Sequence, residues 1–182
     1  EILQYYDDET KLKPYEADCM YAGIIIDTNN FVAKTGRRTF EAAAFLRRCG
    51  ADVTRVRKLF RNDMAEYKAR AEAVRHAEVY KGFALSICPS KGLESPTIVG
   101  AQAANELLNI IGVKASIVLT EYNGRIYVSA RSIDEVNVQI IMEKLGGGGH
   151  LNMAGVQLEC SMEEAMKLIR ETLDQMFEEG EL

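Results

Sequence analysis

The sequence predicts an α/β protein of two lobes, and three observations carry that expectation. Gly23-Ile24-Ile25-Ile26-Asp27-Thr28 is a short apolar run rich in β-branched residues, the pattern of a strand buried on both faces of a parallel sheet. Two further strand-like runs, Ala115 to Tyr122 and Arg125 to Arg131, flank Asn123-Gly124. That dipeptide tolerates the positive φ angles of a two-residue hairpin turn. Helix punctuation recurs along the chain: Asp52, Asp63 and Ser161 stand as N-caps, and Glu66 and Glu164 complete capping boxes after the last two. The lobes are expected at 1–80 and 81–182, with a helical linker at the end of the first.

Taken in order, Pro14 to Ala22 reads as a short helix leading into the isoleucine strand. Asp27 then falls at a strand's C-terminal end, where open α/β sheets place their chemistry, with capping of the next turn as the plainer role. Thr39 is expected to cap a helix from Phe40 to Arg48, closed by Gly50, and Asp52 a second helix through Phe60. The segment from Asp63 to about Tyr80 alternates in charge, as a solvent-exposed bridge between lobes would. Phe83 to Cys88 reads as a strand, and Ser95-Pro96 opens a helix with apolar positions Ile98, Leu107, Leu108 and Ile111 before Gly112. After the hairpin come a helix from Val136 to Leu145, a glycine run, a strand to Leu158 and a terminal helix to Phe177.

Composition narrows the function classes. The chain has 182 residues, 47% hydrophobic and 27% charged, as ordinary globular proteins do. The longest apolar stretch, around Ile24 to Ile26, is far short of a membrane span, and no signal-peptide pattern opens the chain. The first residue is Glu, which suggests a piece of a longer protein. Cys19, Cys49, Cys88 and Cys160 form no Cys-x-x-Cys pair, so neither a zinc site nor a disulfide framework is implied and a cytoplasmic location is expected. The net charge is −5, yet nine Lys or Arg face only Glu41 and Asp52 between Lys34 and Arg61. That basic stretch suits a local anionic partner or simply solvated helix faces. An acidic protein without a continuous basic groove is not expected to hold long nucleic acid.

Gly146-Gly147-Gly148-Gly149-His150 lies between apolar segments rather than in a polar tether. Consecutive glycine amides can form a nest for an anion, and the imidazole can donate to the same oxygens. The plainer reading is a helix C-cap at Gly146 followed by slack. Arg131 ends the second hairpin strand and could fork onto a phosphate held there. Ser129, two residues earlier, projects on the same face and could add a hydroxyl. Asn137 caps or contacts, and His76 on the polar helix has no role.

Four stretches together, Tyr21 to Phe31, Thr35 to Glu41, Ser129-Ala-Arg131 with Asn137 to Leu145, and the glycine run with His150, resemble the DHH phosphoesterase superfamily, most closely its GdpP-type cyclic di-AMP phosphodiesterases. The resemblance runs through nearly the whole chain. It implies a parallel-sheet DHH lobe ending in a helical linker, then a smaller mixed-sheet DHH-associated lobe that grips substrate. It further implies two divalent cations, manganese by family habit, with Asp27 matching a metal-ligating aspartate. Ser129, Arg131, Gly147, Gly148, Gly149 and His150 match the substrate-binding lobe. The expected ligand is a cyclic dinucleotide or short oligonucleotide, and a homodimer is a candidate assembly. The Asp-His-His signature and the His-x-x-x-Asp-x-Asp ligands are absent and are expected upstream of Glu1, where a membrane anchor is also typical of such relatives. Met153 stands where relatives tend to carry small residues. One carboxylate cannot hold two cations, so this piece is expected to bind manganese weakly and to hydrolyse nothing alone, with no catalytic residue of its own. Two rivals stand beside this reading: a single-strand nuclease or oligoribonuclease of the same superfamily, and a non-catalytic nucleotide-binding module.

Overall fold

A computed structural model describes residues 2–5, 12–32 and 34–182. The chain divides into two compact units, Glu1–Asn62 and Asp63–Leu182. In the first, a 3-10 turn at Ile2–Tyr5 precedes three helices, α1 (Pro14–Asp27), α2 (Arg37–Arg48) and α3 (Val53–Leu59). The isoleucine run is therefore not a strand. It continues α1, and the first unit contains no strand among its described residues. Pro14 at the first turn and the Lys13 amide donating to Glu16 Oε2 at 2.8 Å start a helix early enough to carry through the β-branched residues. Ala17 and Ala22 on that helix are buried, and this packing overrides the local strand preference. Thr28 stops it by turning its hydroxyl back onto the Ile24 carbonyl at 2.6 Å, and Asn29, Asn30 and Phe31 follow at positive φ.

Asp18 joins α1 to α3. Its carboxylate takes the Asp52 amide at 2.6 Å and the Arg55 guanidinium at 2.6 and 3.2 Å. Part of the basic stretch is thus committed to structure: Arg55 pairs with Asp18 and Asp52, and Arg37 with Glu41. Helix α2 starts at Arg37 with Gly36 as its cap residue, and the Thr39 hydroxyl accepts from the Gly36 amide.

The second unit opens with α4 (Met64–Arg75) and then alternates β1 (Glu78–Tyr80), β2 (Phe83–Cys88), α5 (Pro96–Leu107), β3 (Ala115–Tyr122), β4 (Arg125–Ser132), α6 (Val138–Lys144), β5 (Gly148–His150), β6 (Met153–Leu158) and α7 (Met162–Glu179). The polar helix is not a solvated bridge. It ends at Arg75 and belongs to this unit, where Ala69 and Ala73 pack with Ala103, Ala104 and Leu107 of α5. Alanines four apart make a narrow apolar stripe that an alternating charge pattern conceals. Arg70 is buried beside them and donates to Gln102.

The sheet order is β1-β2-β3-β4-β6-β5. Only β2 and β3 run parallel, and every other pair is antiparallel. Asn123 and Gly124 close the β3–β4 hairpin at φ 51° and 73°, as the dipeptide predicts. One face carries the main core, where Ile117, Leu119, Val128 and Val156 meet Ile141, Met142, Ile169 and Leu173 of α6 and α7. The opposite face is covered by α4 over β2 and by α5 over β2, β3 and part of β4. Buried Ser86 and Ser116 satisfy their hydroxyls on the Ala73 and Ala104 carbonyls, which lets polar side chains sit under those helices. Strand β4 alternates buried and accessible residues along its length, so the face it shares with β5 and β6 is left accessible.

Candidate functional site

Register decides which predicted residues meet. On the accessible face, Arg131 of β4 lies opposite Met153 of β6, and Met153 lies opposite His150 of β5. The neighbouring row is Ser129, Gly155 and Gly148. Alternation on a strand puts all six on one side of the sheet. Two strand spacings of about 4.8 Å separate Arg131 from His150 at the backbone. The glycine-histidine run and Ser129-Ala-Arg131 therefore do share one surface, although they lie in different strands.

The amide nest expected of the glycines does not form. Gly146 takes φ 84° and donates to the Glu143 carbonyl, and Gly147 donates to Met142 at 2.8 Å. These two bonds are a Schellman closure of α6. Gly148 to His150 then pair with β6 as an edge strand, so no slack follows the cap either. A Cβ on Gly149 would sit 2.5 Å from the Ala154 Cα, with φ at 150°. Gly147 is equally pressed against Gly155 and Val156. Gly148 differs: its Cβ would meet nothing within 4 Å. The run thus serves a turn and a close strand approach, and leaves one bare position on the accessible face.

Among the described residues, Arg131 is the charge on that face without an acidic partner, since Arg125 at the start of β4 pairs with Glu159 at 2.6 Å. Arg131 is half-buried, and its Nη1 donates to the Ala130 carbonyl at 2.8 Å and more weakly to Ala154 at 3.5 Å. Its Nε is buried without a hydrogen-bond partner, and no carboxylate lies within salt-bridge distance among the described residues. Burial lowers its pKa from the ordinary arginine value. A desolvated guanidinium without an acid beside it is costly unless an anion completes it. His150 and Met153 are exposed, and Ser129 is half-buried with no hydrogen bond from its hydroxyl among the described residues. Asn137 caps α6, accepting from the Gln139 amide at 3.1 Å.

Residues 87–179 match the DHHA1 domain family. The chain belongs to the DHHA1 domain family. The cyclic-di-AMP phosphodiesterase GdpP of Geobacillus thermodenitrificans is 41% identical to it over 99% of this chain and 28% of that protein. The cyclic-di-AMP phosphodiesterase PdeA of Listeria monocytogenes is 38% identical over 96% of the chain and 27% of that protein. The chain spans about a quarter of the length of these relatives. A crystal structure of an exopolyphosphatase-related protein from Bacteroides fragilis superposes with a TM-score of 0.79 at 24% identity, over 90% of this chain and 51% of that one. That likeness is one of fold. Arg131, Ser129 and the glycine run all fall inside the DHHA1 match.

Asp27 lies outside the DHHA1 match and sits differently from its expected place. It is exposed at the C-terminal end of α1 rather than at the end of a sheet strand. A carboxylate at the negative pole of a helix raises the local negative potential. No group of three or more His, Cys, Asp or Glu that could hold a metal occurs among the described residues. The residues present do not fit a two-cation centre. Among the described residues, no helix is long and apolar enough to cross a membrane.

The sequence reading passed over Tyr127 and Gln157, which share the DHHA1 face with Arg131. The alternation of β4 and β6, once aligned on the hairpin, was the signal that finds them.

Proposed function

We propose that this chain is the substrate-gripping portion of a phosphodiesterase that opens a cyclic dinucleotide, cyclic di-AMP, to its linear form. The observation that carries the reading is Arg131, a half-buried guanidinium with an unpartnered Nε and no acid beside it, on the accessible sheet face. Its planar donors suit a phosphate better than any carbonyl it now touches. Ser129 on the same strand and His150 on β5 supply further donors. The similarity to cyclic-di-AMP phosphodiesterases over nearly all of the chain supports the choice of ligand. Asp27 is proposed as a single ligand of one divalent cation, manganese in the parent protein. The other ligands do not lie among the described residues, so this chain alone is expected to bind without hydrolysing.

Titration calorimetry of cyclic di-AMP into the 182-residue chain tests the reading. Replacing Arg131 by Ala is expected to weaken binding about tenfold or more, since a charge-assisted bond contributes about 1.5–3 kcal/mol. Equal affinity in the wild type and the variant rules out Arg131 as the phosphate contact. Release of linear product by the chain alone overturns the statement that it binds without turnover.

A further inference from the structure

The accessible half of the sheet extends past the row that carries charge. Toward the start of β4 the same face presents Arg131, then Ser129, then Tyr127, while β6 presents Met153, Gly155 and Gln157 opposite them. The middle row is nearly bare. Gly148 has open space where a side chain would be, and a Cβ on Gly155 would lie 2.8 Å from the Val128 carbonyl oxygen, so that position does not fill readily. Beyond this glycine floor the surface rises again at Tyr127 and Gln157. The Tyr127 ring is half-buried and stands 6.2 Å from that of Tyr122 at an interplanar angle of 54°. Gln157 is exposed, and its amide forms no bond among the described residues.

The two raised rows are four residues apart on β4, about 13 Å along a strand. That is of the order of one nucleotide laid out from phosphate to base. We propose that this trough is a mononucleotide subsite that reads adenine. The phosphate lies at the Arg131 row, the ribose over Gly155 and Gly148, and the base against Tyr127 with its edge at Gln157. An aromatic ring offers a stacking surface to any base. A carboxamide places a donor beside an acceptor, which matches the N6 amino group and N7 of adenine, whereas guanine presents two acceptors on that edge. The subsite rests on the reading of Arg131 as a phosphate contact.

Titration calorimetry with 5′-phosphorylated linear diadenylate and diguanylate separates the two ideas. The wild-type chain is expected to prefer diadenylate. Gln157→Leu is expected to lose about tenfold for diadenylate and to leave diguanylate within about twofold. Tyr127→Leu is expected to weaken both about tenfold, and Tyr127→Phe neither. If Gln157→Leu and Tyr127→Leu bind both ligands as the wild type does, while Arg131→Ala loses them, the base subsite is wrong and the phosphate contact stands. If the wild type binds neither dinucleotide, or Arg131→Ala binds both unchanged, the phosphate reading fails and the subsite fails with it. Gln157 is exposed, so its variant keeps the test decisive even if Tyr127→Leu folds poorly.

Discussion

Two neighbouring glycines separate structure from binding at single-residue resolution. Gly149 is held at φ 150° with the Ala154 backbone where its Cβ would go, while Gly148 has open space there. Gly149→Ala is expected to cost about 1–3 kcal/mol, the usual range for backbone strain. Gly148→Ala is expected to stay within about 0.5 kcal/mol of wild-type stability, as surface changes do, yet to weaken dinucleotide binding by narrowing the trough. Thermal melting paired with calorimetry checks both. Normal binding by a stable Gly148→Ala protein removes the trough from the site. The sequence reading gave Gly147, Gly148 and Gly149 one role. Their difference lies in what stands across the strand, which no residue string contains.

Among the elements, capping was the most legible level, although Gly36 rather than Thr39 stands at the cap of α2 and Asp63 caps α4 without the box expected from Glu66. Ser161 and Glu164 exchange the two bonds of a capping box at 3.2 and 2.9 Å, Asp52 and Asp63 accept from the amides two residues on, and the hairpin turns at Asn123-Gly124. Ser161→Ala is expected to cost about 1 kcal/mol by denaturant titration; an unchanged midpoint contradicts that. The strand expected at Ile24 failed for a physical reason. A short apolar run fits a buried strand or a helix equally, and the partner it packs on decides. The joint between α1 and α3 makes a pH prediction. The Arg55 hydrogen bond, aided by the Asp52 amide, holds the Asp18 carboxyl below its usual pKa. A depressed carboxyl adds stability in full above its unfolded value, about 3.9, and loses it as pH falls through the folded value. Melting temperature should therefore fall more steeply with acid in the wild type than in Asp18→Asn. Identical slopes would refute the coupling.

For the whole molecule, the second unit has its own two-sided core. Ile169 and Leu173 of α7 are fully buried on one face of the sheet and Leu107 of α5 on the other. Leu173→Ala is expected to cost about 2–5 kcal/mol by denaturant unfolding. A polypeptide of residues 63–182 is expected to fold alone and to retain dinucleotide binding, because Arg131, Ser129 and His150 all lie within it. A disordered far-ultraviolet spectrum from that piece, or loss of binding with the fold intact, contradicts the assignment of the grip to this unit. The reading of residues 63 to 80 as a bridge failed at this scale. Only packing shows that Ala69 and Ala73 face a neighbouring helix.

By itself the sequence determined what is local: several helix caps, where a hairpin turns, and which side chains have the chemistry of an anion contact. Those properties depend on a few bonded neighbours, so they survive in a linear string. Only the tertiary structure decided that β6 inserts between β4 and β5, which brings Arg131, Met153 and His150 into one row. It also turned the supposed anion nest into a helix closure and an edge strand, because the Gly146 and Gly147 amides found the Glu143 and Met142 carbonyls first. Strand order and register depend on contacts between distant residues, and there the physical decision about this site was made.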